Sequence, residues 1–381
     1  LGFIEYTKNN TNIAQTILEK VINDKSNDPF ALNVLGLVFL KNELIDKAKK
    51  LFDRAITINP KYIDSYNNLG KVFFDLEDLD KAYVLFKKAY KINKNFSKTL
   101  INIGNYLSLK DKNLFAIKAY KKALIYEPKN TEIFSNISIA YARTKDFESA
   151  KKYYDKAIIN KALNPSLDLS LFYLYIYKNQ YEKAWSLFES RKGTPKFLKS
   201  KNKSIIGQTV KAEKETIPNK KILVVREQGI GEEILFSSMY KELINLNNNI
   251  KIETDKRLIN IFERSFGINK FVADGFYSQN KEGLKKFDSI IFAGSLSGYF
   301  RKNKQDFLNK SYLIDDHNKT MRMKDDPIFK TKDLKIGLSW KSVVSVYGKL
   351  KSLNLADFKP LIKKNRQFIN LQYGEVKEEI K

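Results

Sequence analysis

The sequence has no cysteine and a single histidine, His317. The first absence excludes disulfides, cysteine–zinc sites and thiol catalysis. The second argues against a histidine-rich metal site and a conventional histidine-dependent triad. His317 stands in a polar stretch, Asp315-Asp316-His317-Asn318. Long apolar runs are missing too. Runs such as Leu171 to Tyr177 are far short of the roughly 20 residues that a membrane helix needs. The chain therefore reads as soluble and cytoplasmic, with no membrane span. Acidic residues are outnumbered: 43 Asp and Glu stand against 69 Lys and Arg, a formal net charge of +26. Such a balance can serve nucleic acid or an anionic membrane. Here the lysines are scattered along helix exteriors, as in Lys47-Ala48-Lys49-Lys50 and Lys121-Lys122, beside abundant Asn and Ile. That composition reads as the codon bias of an AT-rich genome. No nucleic-acid-reading motif accompanies it, and no specific nucleic acid partner is expected.

What is present is a repeat. Ala14, Ala48, Ala82, Ala116, Ala150 and Ala184 recur every 34 residues. Gly2, Gly36, Gly70 and Gly104 keep the same period, which then loosens to Ser138 and Phe172. Leu18, Phe52, Phe86, Tyr120, Tyr154 and Phe188 form a bulky column, and Val21, Ala55, Ala89, Ala123 and Ala157 a small one. Small residues let two antiparallel helices approach, and the bulky column fills the space between them. In the second unit the pattern predicts one helix from about Phe30 to Lys41, a turn at Asn42-Glu43, and a second helix from about Ile45 to Ile58, stopped by Pro60. This period and pattern resemble the tetratricopeptide repeat (TPR). The resemblance implies an α-solenoid over residues 1–192, about six units with the first partial, whose inner face takes a protein or peptide.

Asn68, Asn102 and Asn136 are also 34 apart, each two residues before the Gly/Ser column. Asn offers both a donor and an acceptor, which suits the amides of an extended peptide. The column resembles the asparagine ladder of O-linked N-acetylglucosamine transferases. The resemblance implies peptide-backbone binding along the groove.

Arg191 breaks the small-residue column, and residues 193–220 lose helical period; they read as a linker or an irregular packing segment. The pattern then changes class. Lys221 to Val225, Ile250 to Glu253, Lys270 to Val272 and Ser289 to Phe292 read as strands, with helices predicted from Ile234 to Leu246 and from Arg257 to Phe266. Alternation of this kind predicts an open α/β sheet whose ligands bind beyond the strand C-termini, near Gly229-Ile230-Gly231. The dinucleotide fingerprint fails, because Ile234 stands where a third glycine is needed and Glu232 and Glu233 would repel a pyrophosphate. Glu253 imitates a ribose-binding acid. A carboxylate at the Gly229-Ile230-Gly231 turn, where Glu232 and Glu233 stand, suits a general base better than a pyrophosphate partner.

Arg226 to Phe236, Asp255 to Leu258, Phe262 to Phe266, Gly294 to Leu296, Lys335 to Ser342, Lys351-Ser352 and Phe368 to Gly374 carry a second resemblance. In order and spacing, residues 221–376 resemble the glycosyltransferase-like region that follows TPR arrays in many bacterial proteins. That region is similar to the heptosyltransferases of the two-Rossmann GT-B fold. The resemblance implies a Rossmann-like N-terminal GT-B domain over 221–328 and the start of a second over 329–381. It implies a nucleotide-sugar as donor substrate, no required cofactor and no metal. Glu232 falls at the catalytic base, where the family carries Asp, with Glu233 as the alternative. Gly229, Gly231, Ser339, Lys341, Lys351 and Ser352 fall at substrate-binding positions. Two functions follow: a TPR-containing glycosyltransferase acting on an unidentified acceptor, or a non-catalytic TPR scaffold with a degenerate transferase-like domain. The start at Leu1, inside a helix, and the stop at Lys381 read as truncations, so this chain is expected to be inactive by itself.

Overall fold

The computed structural model describes residues 1–23, 28–213, 217–227, 229–307, 309–339, 353–361 and 366–371. Twelve helices among them form six hairpins: α1 (Gly2–Thr7) with α2 (Thr11–Asn23), α3 (Pro29–Lys41) with α4 (Ile45–Ile58), α5 (Ile63–Asp75) with α6 (Leu79–Ile92), α7 (Ser97–Leu109) with α8 (Asn113–Tyr126), α9 (Thr131–Arg143) with α10 (Phe147–Ile159), and α11 (Pro165–Tyr177) with α12 (Tyr181–Phe188). Each first helix packs on its own second helix and on its neighbours, giving an α-solenoid. All six alanines of the 34-residue column have 0% exposure. The glycine column exists for the rings sixteen residues on. A Cβ on Gly36 or Gly70 would fall 2.5 Å from the ring of Phe52 or Phe86, both buried. Where glycine gives way to Ser138, the hydroxyl donates to the Ala150 carbonyl at 2.7 Å.

The tight turns carry a signal that the periodic columns do not show. Asn9, Glu43, Glu77, Asp111, Lys145 and Asn179, again 34 apart, take left-handed φ values between 57° and 72°. Each closes a Schellman motif. At Glu43, for example, its N–H donates to the Leu40 carbonyl and that of Leu44 to the Phe39 carbonyl. Non-glycine residues pay about 1 kcal/mol or more for this conformation, so helix packing, rather than turn chemistry, holds the hairpins.

Four parallel strands follow: β1 (Ile222–Val225), β2 (Ile250–Thr254), β3 (Phe271–Ala273) and β4 (Ser289–Phe292), in the spatial order β3-β2-β1-β4. β1 and β4 are buried throughout, as parallel strands covered on both faces require. Residues 193–213 pack on this sheet: Phe197 and Ile205 join Leu223, Val225, Ile290 and Phe292 in one apolar cluster, and Thr209 bridges the outer side of β4 at Ile290. They contain a short helix, α13 (Pro195–Leu198). The helix predicted from Ile234 to Leu246 is two, α14 (Ile230–Ser237) and α15 (Tyr240–Leu246). The break has a cause. The buried guanidinium of Arg301 takes the Ser238 carbonyl at 3.0 Å, out of the helical ladder.

The repeats and this sheet lie in one compact unit, Leu1–Lys256 with Lys270–Asn309. A second unit comprises Arg257–Asn269 and Lys310–Lys381. It holds α16 (Ile259–Phe266) and a parallel pair, β5 (Leu334–Leu338) with β6 (Arg366–Asn370), in the register Ile336 to Phe368. Within it, Arg264 donates to the Ile314 carbonyl and the Ile314 N–H to the Ser265 hydroxyl.

Candidate functional site

In an open α/β sheet the strand order reverses at one place, and ligands favour the crevice there. Here that place lies beyond the C-terminal ends of β1 and β4. Protein groups occupy it. Glu227, just after β1, has a fully buried side chain and accepts from the Gly294 N–H just after β4. Arg191, just past the last repeat, grips the same carboxylate with two bonds, Nε to Oε2 at 2.7 Å and Nη2 to Oε1 at 3.0 Å. It also donates to Ser295 Oγ at 3.0 Å, Glu189 Oε1 at 3.0 Å and the Phe188 carbonyl at 3.1 Å. Burial works against the Arg191 charge, and Glu227 and Glu189 more than restore it, so the guanidinium is held above its ordinary value. Burial also pushes the Glu189 carboxyl up, but Arg191 and Lys192 outweigh it and hold the group below its ordinary value. Beside this cluster Trp185 Nε1 donates to the Arg301 carbonyl at 2.6 Å. The last repeat departs from its predecessors to make the joint. Phe172 replaces glycine and meets Phe188, ring centroids 4.8 Å apart, and Phe188 in turn lies under the Arg191 guanidinium at 4.3 Å.

The sequence-derived residues near this edge separate into two kinds. Glu232 is exposed on the first turn of α14, and Gly229 and Gly231 beside it are exposed as well. Neither glycine takes a left-handed φ, and nothing lies within 4 Å of where a Gly231 Cβ would be. Glu233 is buried, and its carboxylate is engaged by Arg226 Nε at 2.5 Å, the Asp255 N–H at 3.0 Å and the Thr254 hydroxyl. Arg226 also holds Asp274 at 2.8 Å, which ties the ends of β1, β2 and β3 together. Glu253 has 0% exposure and accepts from the Gly275, Tyr277 and Ser278 N–H groups and the Ser278 hydroxyl; every donor belongs to the loop after β3. Ser339 is exposed at the end of β5 in the second unit. Lys341, Lys351 and Ser352 lie outside the described residues. Among the described residues, no group of three or more His, Cys, Asp or Glu is arranged to hold a metal ion.

The asparagine column faces sideways as well as inward. Asn68 Nδ2 donates to Asn33 Oδ1 at 2.8 Å, Asn102 Nδ2 to Asn67 Oδ1 at 3.1 Å, and Asn136 Nδ2 to Asn105 Oδ1 at 3.2 Å. The donor half of each amide is thus used between repeats. Lys98 takes Asn68 Oδ1 at 2.7 Å. Burial lowers the Lys98 ammonium below its ordinary value, and Asp64 only partly offsets this. Asn102 Oδ1 and Asn136 Oδ1 have no hydrogen-bond partner among the described residues, nor does Asn105 Nδ2. Asn105 is a position the periodic reading missed. Its Oδ1 is fixed by Asn136 and by the Tyr120 hydroxyl at 2.7 Å, which leaves its NH2 as a donor. A cavity of about 200 Å³ opens here, lined by Phe74, Asn105, Leu109, Asn136, Ile139 and Arg143, with Ser108 and Tyr120.

Residues 31–62, 63–96 and 131–158 match the family model of the tetratricopeptide repeat. The N-terminal half of the chain is therefore a TPR array, followed by a small parallel sheet. Protein FlbA of Caulobacter vibrioides is 24% identical over 216 residues, covering 51% of this chain. The chain spans 35% of that relative's length. PilF of Pseudomonas aeruginosa is 22% identical, with 46% of this chain and 79% of that one covered at a TM-score of 0.39. A TPR protein of Thermus thermophilus is 22% identical, with 46% and 96% covered at a TM-score of 0.41. Among the described residues no helix is long and apolar enough to cross a membrane.

Proposed function

We propose that this chain is a TPR scaffold that captures an extended polypeptide on its inner face and carries the four-stranded sheet that shares its compact unit as a fixed attachment. The observation that supports it most is the cavity at α7 and α9. An open amide donor on Asn105 and an open acceptor on Asn136 sit beside the apolar walls Phe74, Leu109 and Ile139. Donor and acceptor on neighbouring side chains match the alternating N–H and C=O of an extended strand, and the apolar walls take a side chain. The test is capture of an immobilised library of end-blocked nonapeptides by the full chain. Asn105→Ala with Asn136→Ala should abolish capture while circular dichroism stays unchanged. Capture that survives this pair would place the binding elsewhere.

One observation favours a second reading, a glycosyltransferase with a nucleotide-sugar donor in a GT-B-like region. Glu232 is exposed beside the exposed Gly229 and Gly231 at the C-terminal end of β1, where a base could meet a hydroxyl. Against it, Arg191 and Glu227 fill the point where the strand order reverses. This reading requires sugar-nucleotide binding weakened by Lys351→Ala, and any turnover to collapse in Glu232→Gln. Absence of sugar-nucleotide binding at millimolar concentration would remove it.

A further inference from the structure

The same cavity holds a charge that its surroundings do not neutralise. We infer that the groove selects polypeptides by an internal acidic side chain, received by Arg143; this rests on the peptide-binding reading above.

Helices α5, α7 and α9 present three cations, Lys71, Lys98 and Arg143. Lys71 pairs with Asp75, and Lys98 lies 3.8 Å from Asp64. Arg143 has no carboxylate within 4 Å among the described residues. Its contacts are neutral: Nη1 donates to the Ser108 carbonyl at 2.9 Å and to Ser108 Oγ at 2.8 Å. Both bonds use one nitrogen. A guanidinium has five N–H donors, and the edge formed by Nε and Nη2, which does not involve Nη1, can meet a carboxylate with two parallel bonds. That edge makes no hydrogen bond among the described residues. Ser108 therefore fixes the group from one side and leaves the bidentate side open. Capping the C-terminus of α7 would account for the Nη1 bonds alone. It would not account for the cavity, the open Asn105 and Asn136 atoms, or the missing acid.

The occupant follows from the position in the array. The cavity is built on α7 and α9, with α5 packed before them and α11 after them. A strand lying there continues past the cavity in both directions. The group that reaches Arg143 is then an Asp or Glu side chain within the peptide, not its C-terminus. Phe74, Leu109 and Ile139 take the apolar part of that residue or of a neighbour.

The experiment compares selections from one randomised, end-blocked dodecapeptide library on the wild-type chain and on Arg143→Gln and Arg143→Lys. Wild type should enrich Asp or Glu at one fixed position. The best binder should lose about tenfold or more in affinity when that residue becomes its amide, the scale of a charge-assisted bidentate bond. In Arg143→Gln the acid-to-amide affinity ratio should fall to about one; Arg143→Lys should keep only part of it, because an ammonium offers no fork. The ratio is measured within one protein preparation, so partial unfolding of a variant leaves it interpretable. Capture with no acidic preference, or a preference unchanged in Arg143→Gln, overturns the inference and leaves the scaffold reading standing. Enrichment that requires an unblocked C-terminus also overturns it. Failure to capture any peptide overturns both.

Discussion

Removing the Arg191 side chain should uncouple the repeats from the sheet. In Arg191→Ala, Glu227 keeps only the Gly294 N–H, at a site where its side chain has 0% exposure and Arg191 had 4%. Two bonds to Glu227, one to Ser295, one to Glu189 and one to the Phe188 carbonyl disappear together. Stranding one member of a buried ion pair costs about 3–5 kcal/mol. With a urea slope of roughly 2 kcal/mol per molar, the midpoint should fall by about 2 M. Trp185, bonded to the Arg301 carbonyl, is a reporter inside the joint, and Trp340→Phe makes it the sole tryptophan. Its fluorescence should report the early transition in Arg191→Ala. The far-UV helical signal should unfold later, because each repeat depends only on its neighbours. The double variant Arg191→Met with Glu227→Gln should recover most of the loss, since no buried charge is stranded and the Gly294 N–H keeps an acceptor. A midpoint change under about 0.5 M, or a double variant as weak as the single one, would refute the reasoning.

Two further outcomes follow from the packing and the charges. Gly70→Ala would put a Cβ 2.5 Å from the buried Phe86 ring, so overpacking of about 1–3 kcal/mol should exceed the roughly 1 kcal/mol gained in helix propensity; an unchanged or raised thermal midpoint would show that the helices can slide apart. The Glu189 carboxyl is depressed in the folded protein from an ordinary value of 4.5, so its contribution is complete above about that pH and is lost as pH falls through the lower folded value. The Trp185 midpoint of wild type should therefore lose more than that of Glu189→Gln between about pH 5 and 3, and parallel profiles would contradict this.

Local chemistry explains what could be read in advance. The 34-residue period placed α3 and α4 almost to the residue, because small, bulky and breaker positions all repeat with it. The strands were readable as short apolar runs for a similar reason. Arg191 was visible only as a break in a column. Its partners Glu227 and Ser295 lie 36 and 104 residues away, beyond the reach of any local pattern. The asparagine column carries the repeat's period, but periodicity does not say which way an amide turns. The donors reach back 35, 35 and 31 residues, and the third of these steps brings in Asn105. Glu232 and Glu233 were indistinguishable as neighbours in sequence. Starting α14 at Ile230 turns Glu233 toward Thr254 and leaves Glu232 in solvent.

The joint gives the array one anchored end. The contacts that fix the sheet to the solenoid include those of α12 and the turn after it: Trp185 with Arg301, Phe188 with Phe236, and Arg191 with Glu227. The units before α11 pack chiefly on their neighbours in the array. Whole 34-residue units could therefore be gained or lost upstream, lengthening or shortening the reach of the groove, while the four-stranded sheet stays seated as it is. The solenoid behaves as a ruler whose zero mark is Arg191, and its length is free to change without recalibrating that mark.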